Sequence, residues 1–135
     1  ASGWKQDFFD VESYRVYVEN RGDDVVAEAT VKIHIGDDRV VATSEGQGPV
    51  SALDRALRQA LAPAYPAITG FRLTDFRVRD LDSSDGTSAR VRVLVETSDG
   101  DDIWGTVGVH VNMIDASWKA LIDGIVVGLV KSTLT

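Results

Sequence analysis

The 135-residue sequence contains no cysteine and only two histidines. The absence of cysteine excludes a disulfide framework and any thiolate metal site, and it fits the reducing cytoplasm, where we expect the protein to reside. No apolar run approaches the roughly 18 residues that a membrane-spanning helix needs, and no segment resembles a signal peptide. The sequence therefore predicts a soluble protein without a membrane partner.

Positive charge is also scarce. The chain has 14 Lys and Arg against 21 Asp and Glu, a net charge of −7, and its arginines alternate with apolar residues instead of forming a patch. Nucleic-acid binding requires clustered Lys and Arg to neutralise phosphates, so no nucleic-acid partner is predicted. The hydrophobic content of 44% is ordinary for a globular domain with a modest core.

One motif occurs twice, about 63 residues apart. In the first copy, residues 40–43 precede a glycine-containing turn and residues 51–57. In the second copy, residues 103–106 precede a similar turn and residues 115–121. A repeat of this length is one supersecondary unit that cannot cover its own apolar face, so the two copies should pack together.

The apolar periodicity assigns the same elements to both copies. Alternation predicts strands over residues 14–18, 25–35 and 39–44, and helical spacing predicts a helix that starts with Ser51 as N-cap and ends near Pro63. Each copy is then three antiparallel strands and a helix. The predicted fold is an α+β domain of two pseudo-symmetric βββα units. We expect a leading arm over residues 1–13 and one domain over residues 14–135, with unit 1 at about 14–66 and unit 2 at about 67–135.

Parity and turn composition predict four details of the second copy. The alternation changes phase near Asp75, which indicates a bulge, and residues 82–86 should form a turn. Val107, Val109 and Val111 should face the core. Trp104 would then lie on the opposite face of its strand, where it could belong to an interface.

The turn over residues 45–51 is the strongest local candidate for a binding site. Its two glycines, Gly46 and Gly48, could adopt positive φ and approach a ligand closely. The following helix offers unpaired N–H groups and a positive dipole end, which suit a carboxylate or a phosphate. A tight strand-to-helix turn without a ligand would use the same residues, so both interpretations stay open.

Signals for catalysis and metal binding are weak. His34 and His110 have no further ligand at metal-binding spacing, and the aspartate-rich turns lack the calcium ladder. The serines have no His–Asp partnership. We predict no catalytic residue, no metal site and no cofactor in this chain.

Four motifs in order carry a family resemblance: Gly-x-Gly-Pro-Val-x-Ala-Leu at 46–53, Leu-x-Asp-Phe-x-Val-Arg at 73–79, Trp-Gly-Thr-Val-Gly-Val at 104–109 and Ile-x-Ala-Ser-Trp-x-Ala-Leu at 114–121. Over residues 8–129, the sequence resembles the C-terminal regulatory, effector-binding domain of the 2-isopropylmalate synthase and citramalate synthase family. The strand at 73–79 and the Ala-Ser-Trp helix resemble the citramalate synthase branch more closely.

The resemblance implies a function. Members of this family are acyltransferases that join acetyl-CoA to a 2-oxo acid in a metal-dependent barrel, and the end-product amino acid inhibits through the C-terminal domain. The barrel lies outside this chain. We therefore expect a feedback-regulatory module, homodimeric, that binds a branched-chain amino acid (leucine or isoleucine) and acts on the catalytic domain of the parent synthase. A non-sensing dimerisation module and a sensor of another small carboxylate remain as alternatives.

The resemblance also implies the effector-binding residues, which are Gly46, Gln47, Gly48, Val50, Leu73, Phe76, Asp80, Thr87, Val91 and Ile114. The N–H groups of the helix start would take the α-carboxylate, Asp80 would pair with the α-ammonium, and apolar residues would surround the side chain. Gln47 and Phe76 stand where the family often has Asn and Tyr, which leaves the choice between leucine and isoleucine open. The equivalent turn at residues 112–115 lacks the glycine pair and is expected to be structural.

Overall fold

The computed structural model describes residues 8–81 and 90–133. It divides into two compact units, Ala1–Pro66 and Ala67–Thr135. Each unit is one three-stranded antiparallel sheet followed by one long helix, so the prediction of two βββα units is confirmed. The predicted turn at residues 82–86 lies outside the described residues.

Unit 1 contains sheet A, with strands in the order β1 (Asp10–Arg21), β2 (Asp24–Ile35) and β3 (Asp38–Gly46), and helix α1 (Pro49–Leu61). Because β1 begins at Asp10, residues 10–13 belong to the sheet and not to a leading arm. The inner face of sheet A packs against α1. The buried side chains alternate along the strands and recur at helical spacing along α1, and they are Ala27, Ala29, Val31, Ile33, Ala42, Ala52, Leu53, Ala56, Leu57, Ala60 and Leu61.

A 3₁₀ turn (Pro66–Gly70) leads from unit 1 into unit 2. Unit 2 contains sheet B, with strands in the order β4 (Arg72–Asp80), β5 (Val91–Ser98) and β6 (Ile103–His110), and helix α2 (Met113–Thr133). The pairing of β4 with β5 shifts register between Leu73 and Asp75, which confirms the predicted bulge. The extra residue brings Leu73 and Phe76 to the inner face, the one that packs against α2, although their numbers differ in parity.

The orientation predicted for β6 is wrong. Trp104 and Thr106 lie on the inner face, whereas Ile103 and Val107 are 63% and 37% exposed. The indole Nε1 of Trp104 donates a hydrogen bond to the carbonyl oxygen of Gly124 in α2 (2.8 Å). The Thr106 hydroxyl donates to another α2 carbonyl oxygen at 2.6 Å.

A glycine explains why the valines of β6 turn outward. At Gly108, a Cβ atom would overlap the carbonyl oxygen of Ala116 in α2. The helix can therefore approach β6 only over the face that carries Gly108, and the alternate positions must point away. Hydrophobicity alone favours the valines, but close backbone packing and two side-chain hydrogen bonds decide the orientation.

Among the described helices, none combines the length and apolar character needed to cross a membrane.

Candidate functional site

The glycine turn connects β3 to α1 in unit 1. Helix α1 begins at Pro49, with Gly48 as its N-cap (φ −151°, ψ 171°). The prediction of Ser51 as N-cap is therefore wrong, and Ser51 lies in the first turn of the helix. Proline is favoured at the first helical position because its fixed φ suits the helix and its missing N–H would have no acceptor there.

The two glycines of the turn have different roles. Neither adopts positive φ, since the described glycines with positive φ are Gly22, Gly36 and Gly100, so that prediction is wrong. At Gly46, a Cβ atom would lie 2.6 Å from the Ala52 nitrogen, so packing against the start of α1 requires glycine there. At Gly48, a Cβ atom would meet nothing within 4 Å. Neither backbone conformation nor intramolecular space explains Gly48.

The N-terminus of α1 keeps unsatisfied donors. The Gly48 carbonyl oxygen accepts the first helical hydrogen bond, from the Ala52 nitrogen at 3.0 Å. Gly48 has no side chain to cap the helix, and the first turn contains no acidic residue. Among the described residues, none accepts a hydrogen bond from the N–H groups of Val50 and Ser51, which lie at the positive end of the helix dipole.

Unit 2 shows how the equivalent position is closed. Asn112 precedes α2, and its carbonyl oxygen accepts a hydrogen bond from the Ala116 nitrogen at 3.0 Å, as Gly48 does for Ala52. The Asn112 side-chain oxygen also accepts hydrogen bonds from the nitrogens of Ile114 (2.8 Å) and Asp115 (3.2 Å). In unit 2, an internal side-chain oxygen thus occupies the place that is open above α1.

An open depression of about 490 Å³ adjoins the start of α1, lined by Val26, Glu45, Gly46, Gln47, Ser51 and Arg55. The Arg55 guanidinium donates a hydrogen bond to the Glu45 carbonyl oxygen at 3.3 Å and adds a positive charge to the helix end. Arg55 was not among the residues predicted from the sequence. The available signal was its position four residues after Ser51, which places both residues on one side of the helix.

The predicted effector-binding residues fall into two groups, one in each unit. Gly46, Gln47, Gly48 and Val50 lie together at the turn and the start of α1. In sheet B, Leu73 pairs with Thr97, Phe76 with Val95, and Asp80 with Val91, so all four predicted residues of β4 and β5 lie on the inner face. Ile114 lies in the first turn of α2. Thr87 lies outside the described residues.

His34 belongs to a surface network around Glu12. Glu12 accepts hydrogen bonds from Arg39 Nε (2.8 Å) and Nη2 (3.0 Å), and its Oε1 lies 2.9 Å from His34 Nε2. The Arg39 guanidinium, with a smaller contribution from His34, lowers the pKa of Glu12 from 4.5 to about 2. Among the residues that the structure describes, no three His, Asp or Glu side chains converge as metal ligands would.

Comparison with known proteins identifies the family. Residues 2–129 match the family model of the LeuA allosteric (dimerisation) domain. The chain belongs to this family. The resemblance inferred from the four motifs is therefore confirmed, and the protein is a regulatory domain of the LeuA type.

Individual relatives agree. The chain is 49% identical over 131 residues to an (R)-citramalate synthase from Aquifex aeolicus, covering 96% of this chain and 25% of that protein. It is 48% identical over 133 residues to an (R)-citramalate synthase from Streptomyces coelicolor, covering 98% and 25%. It is 34% identical over 104 residues to a 2-isopropylmalate synthase from Aquifex aeolicus, covering 77% and 18%. The chain thus spans about a quarter of the length of the first two relatives and 18% of the length of the third.

Proposed function

We propose that this LeuA-type domain is the feedback sensor of a citramalate synthase-type acyltransferase. It binds a branched-chain amino acid, leucine or isoleucine, at the glycine turn and regulates the catalytic domain that joins acetyl-CoA to a 2-oxo acid. Support comes from the allosteric family and from the high identity to (R)-citramalate synthases. The observation that carries the binding site is the uncapped start of α1.

The start of α1 suits an α-carboxylate. One carboxylate can accept from the N–H groups of Val50 and Ser51, while the Arg55 guanidinium at the rim of the depression supplies a positive charge. Hydrogen bonds to a charged group contribute about 1.5–3 kcal/mol each. Gly48 leaves room for the ligand at the position that Asn112 fills in unit 2.

The choice of an amino acid over a phosphate follows from the size of the positive charge. One arginine and one helix end balance a single negative charge, and the acidic residue Glu45 also lines the depression. An acidic residue beside the start of α1 disfavours the binding of a dianion and can attract an ammonium group. Val26, also in the lining, offers an apolar contact to an aliphatic side chain.

Binding can regulate the synthase with modest energy. Allosteric coupling is typically about 1–3 kcal/mol, so an effector needs to favour one arrangement of the parent enzyme by only a few differential contacts. A carboxylate that binds the N–H groups of Val50 and Ser51 in only one arrangement of the parent enzyme would provide a difference of this size.

Calorimetry and thermal melting of the chain with L-leucine, L-isoleucine and L-valine test the proposal. At least one should bind and raise the free energy of unfolding, by about 2.7 kcal/mol at one hundred times its Kd. The control ligand is 3-methylbutylamine, which is leucine without its carboxylate and should not bind. If none of the three amino acids produces heat or stabilisation, the domain is not a sensor of branched-chain amino acids.

Dimerisation without sensing is the second candidate. Several large apolar side chains are exposed, among them Tyr17, Val41, Ile103 and Val107 at 37–63%, which favours association. A dimer that shows no ligand response would support this function alone. Binding of a different small acid would support a third candidate, a sensor of another small carboxylate, because the start of α1 recognises the carboxylate more than the side chain.

A further inference from the structure

The two sheets carry opposite charge patterns on their outer faces, the faces that point away from α1 in sheet A and from α2 in sheet B. Along β2, the outer positions run Glu28, Thr30, Lys32, between the buried Ala27, Ala29, Val31 and Ile33. Along β5, they run Arg92, Leu94, Glu96, next to the buried Val93 and Val95. The order is negative, neutral, positive in sheet A and positive, neutral, negative in sheet B.

These residues occupy equivalent places in the repeat. Both strands are the central strands of their sheets. The spacing of about 64 residues that relates Ala56 to Ala120 also relates Glu28 to Arg92 and Lys32 to Glu96. The two units thus share a backbone pattern but reverse the sign of both outward charges.

Among the described residues, none provides a partner for these four charges. Within the part of the chain that the structure describes, the side chains of Glu28, Lys32, Arg92 and Glu96 form no hydrogen bond or ion pair. Glu28, Lys32 and Glu96 are also half-buried at the centre of their sheets. A partly desolvated charge without a counter-charge is unfavourable, which indicates that the balancing charge comes from outside the sheet.

Cross-strand neighbours strengthen the pattern. Glu45 lies directly opposite Glu28, and Arg79 lies directly opposite Arg92. Like charges directly opposite each other destabilise an isolated sheet. The basic pair of sheet B therefore favours a surface of negative charge.

Exposed apolar residues accompany these charges. On sheet A, Tyr17 pairs with Glu28 and Val41 with Lys32, and their side chains are 54% and 49% exposed. On sheet B, Val107 pairs with Leu94 on the same outer face. Exposed apolar groups among complementary charges are the composition of a protein–protein interface.

We propose that the outer face of sheet A packs on the outer face of sheet B of a second copy of this chain. Strands β2 and the partner's β5 run in the same direction, so that Glu28 faces an arginine at position 92, and Lys32 faces a glutamate at position 96. Aligned sheets pack about 10 Å apart, and residues four positions apart on a strand are separated by about 13 Å. The two ion pairs therefore form independently, with Thr30 and Leu94 between them.

The charges also select this direction. In the reversed alignment, Glu28 would meet Glu96 and Lys32 would meet Arg92, which places like charges together at both positions. The inference rests on the dimerisation included in the proposed function and specifies its surface. It does not depend on effector binding.

Exchanging the charges within one sheet tests the proposal at constant net charge. The sheet A variant is Glu28→Lys with Lys32→Glu, and the sheet B variant is Arg92→Glu with Glu96→Arg. Without effector, sedimentation should show each variant alone dimerising at least about tenfold more weakly than the wild type. An equimolar mixture of the two should regain wild-type affinity, because every contact is again complementary. Asp23→Asn with Lys119→Gln, which removes one charge of each sign outside both faces, should behave as the wild type does.

Each other outcome overturns the proposal in a distinct way. A single chain can also carry all four substitutions. If dimerisation recovers in that chain but not in the mixture, the matching charges lie within one chain. Tighter association of a single-sheet variant would indicate the reversed direction. If both variants dimerise as the wild type does, this surface is excluded but dimerisation is not. If the wild type is a monomer, dimerisation itself is removed from the proposed function.

Far-ultraviolet circular dichroism checks that the variants fold. If a charge exchange unfolds the chain, Glu28→Gln with Lys32→Gln takes its place. This variant should weaken the dimer and reduce its salt dependence, since partly exposed ion pairs are screened by salt. An undiminished salt dependence would contradict the proposed pairing.

Discussion

Replacement of Gly48 by asparagine should block the proposed effector site at the start of α1 without destabilising the fold. The backbone at Gly48 is extended, with φ −151° and ψ 171°, which any residue can adopt. A Cβ atom there would meet nothing within 4 Å. Asn112 shows the expected result, because its side-chain oxygen caps the equivalent helix at 2.8 and 3.2 Å from two backbone nitrogens.

Gly48→Asn should stabilise the fold slightly but weaken effector binding. Asparagine is a better N-cap than glycine by a few tenths of a kcal/mol, which corresponds to a melting temperature about 1–2 °C higher. The same side chain occupies the N–H groups that would hold the effector carboxylate. Since hydrogen bonds to a charged group contribute about 1.5–3 kcal/mol and 1.4 kcal/mol is tenfold in Kd, the effector Kd should rise at least about tenfold.

Thermal melting with and without the effector, together with calorimetry, measures both quantities. The matched control is Asn112→Gly, which opens the start of α2, costs a few tenths of a kcal/mol and should leave effector binding unchanged. Two results would refute the reasoning: wild-type effector affinity in Gly48→Asn, or a loss of more than about 1 kcal/mol in its free energy of unfolding.

Three further predictions concern the fold. Gly46→Ala should destabilise the chain by about 1–3 kcal/mol in chemical denaturation, because the new methyl group would lie 2.6 Å from the Ala52 nitrogen; a neutral effect would contradict the close packing. Trp104→Phe should cost at least about 1 kcal/mol, since it removes the bond to the Gly124 carbonyl oxygen and leaves that acceptor without its donor; an unchanged denaturation midpoint would argue against the inward orientation. The pKa of Glu12 is about 2 in the folded state, below its ordinary value of 4.5. Its contribution to the free energy of unfolding is therefore present above pH about 4.5 and is lost as pH falls through about 2. Glu12→Gln should therefore flatten the dependence of melting temperature on pH in that window, and an unchanged slope would disprove the coupling.

Several features could be predicted because they depend on neighbours along the chain. The alternation in β2 and β5 and the helical spacing of α1 identify the elements, since side chains repeat every two residues in strands and every 3.6 in helices. The change of parity around Asp75 likewise predicted the bulge in β4. The ordered motifs from Gly46 onward predicted the family, and the family model confirms it.

Other features were decided by constraints that periodicity does not contain, one of them local and one from a segment distant in sequence. Ser51 has the chemistry of an N-cap, but the fixed φ of Pro49 starts α1 earlier. Val107 has the hydrophobicity of a core residue, but the approach of α2 over Gly108 turns it outward. Local propensity is weak in both cases, and a tertiary contact or a backbone constraint of a few kcal/mol overrides it.

The sequence by itself determined the doubled βββα architecture and the family, and it predicted the glycine turn as the place for an effector. Only the tertiary structure decided that Gly46 is required by packing whereas Gly48 is not, and that Arg55 stands beside the open start of α1. Periodicity defines which face of an element is apolar, but it contains no distances between elements. Those distances arise when α1 closes on sheet A, and they separate a glycine that packs from a glycine that leaves room for a ligand.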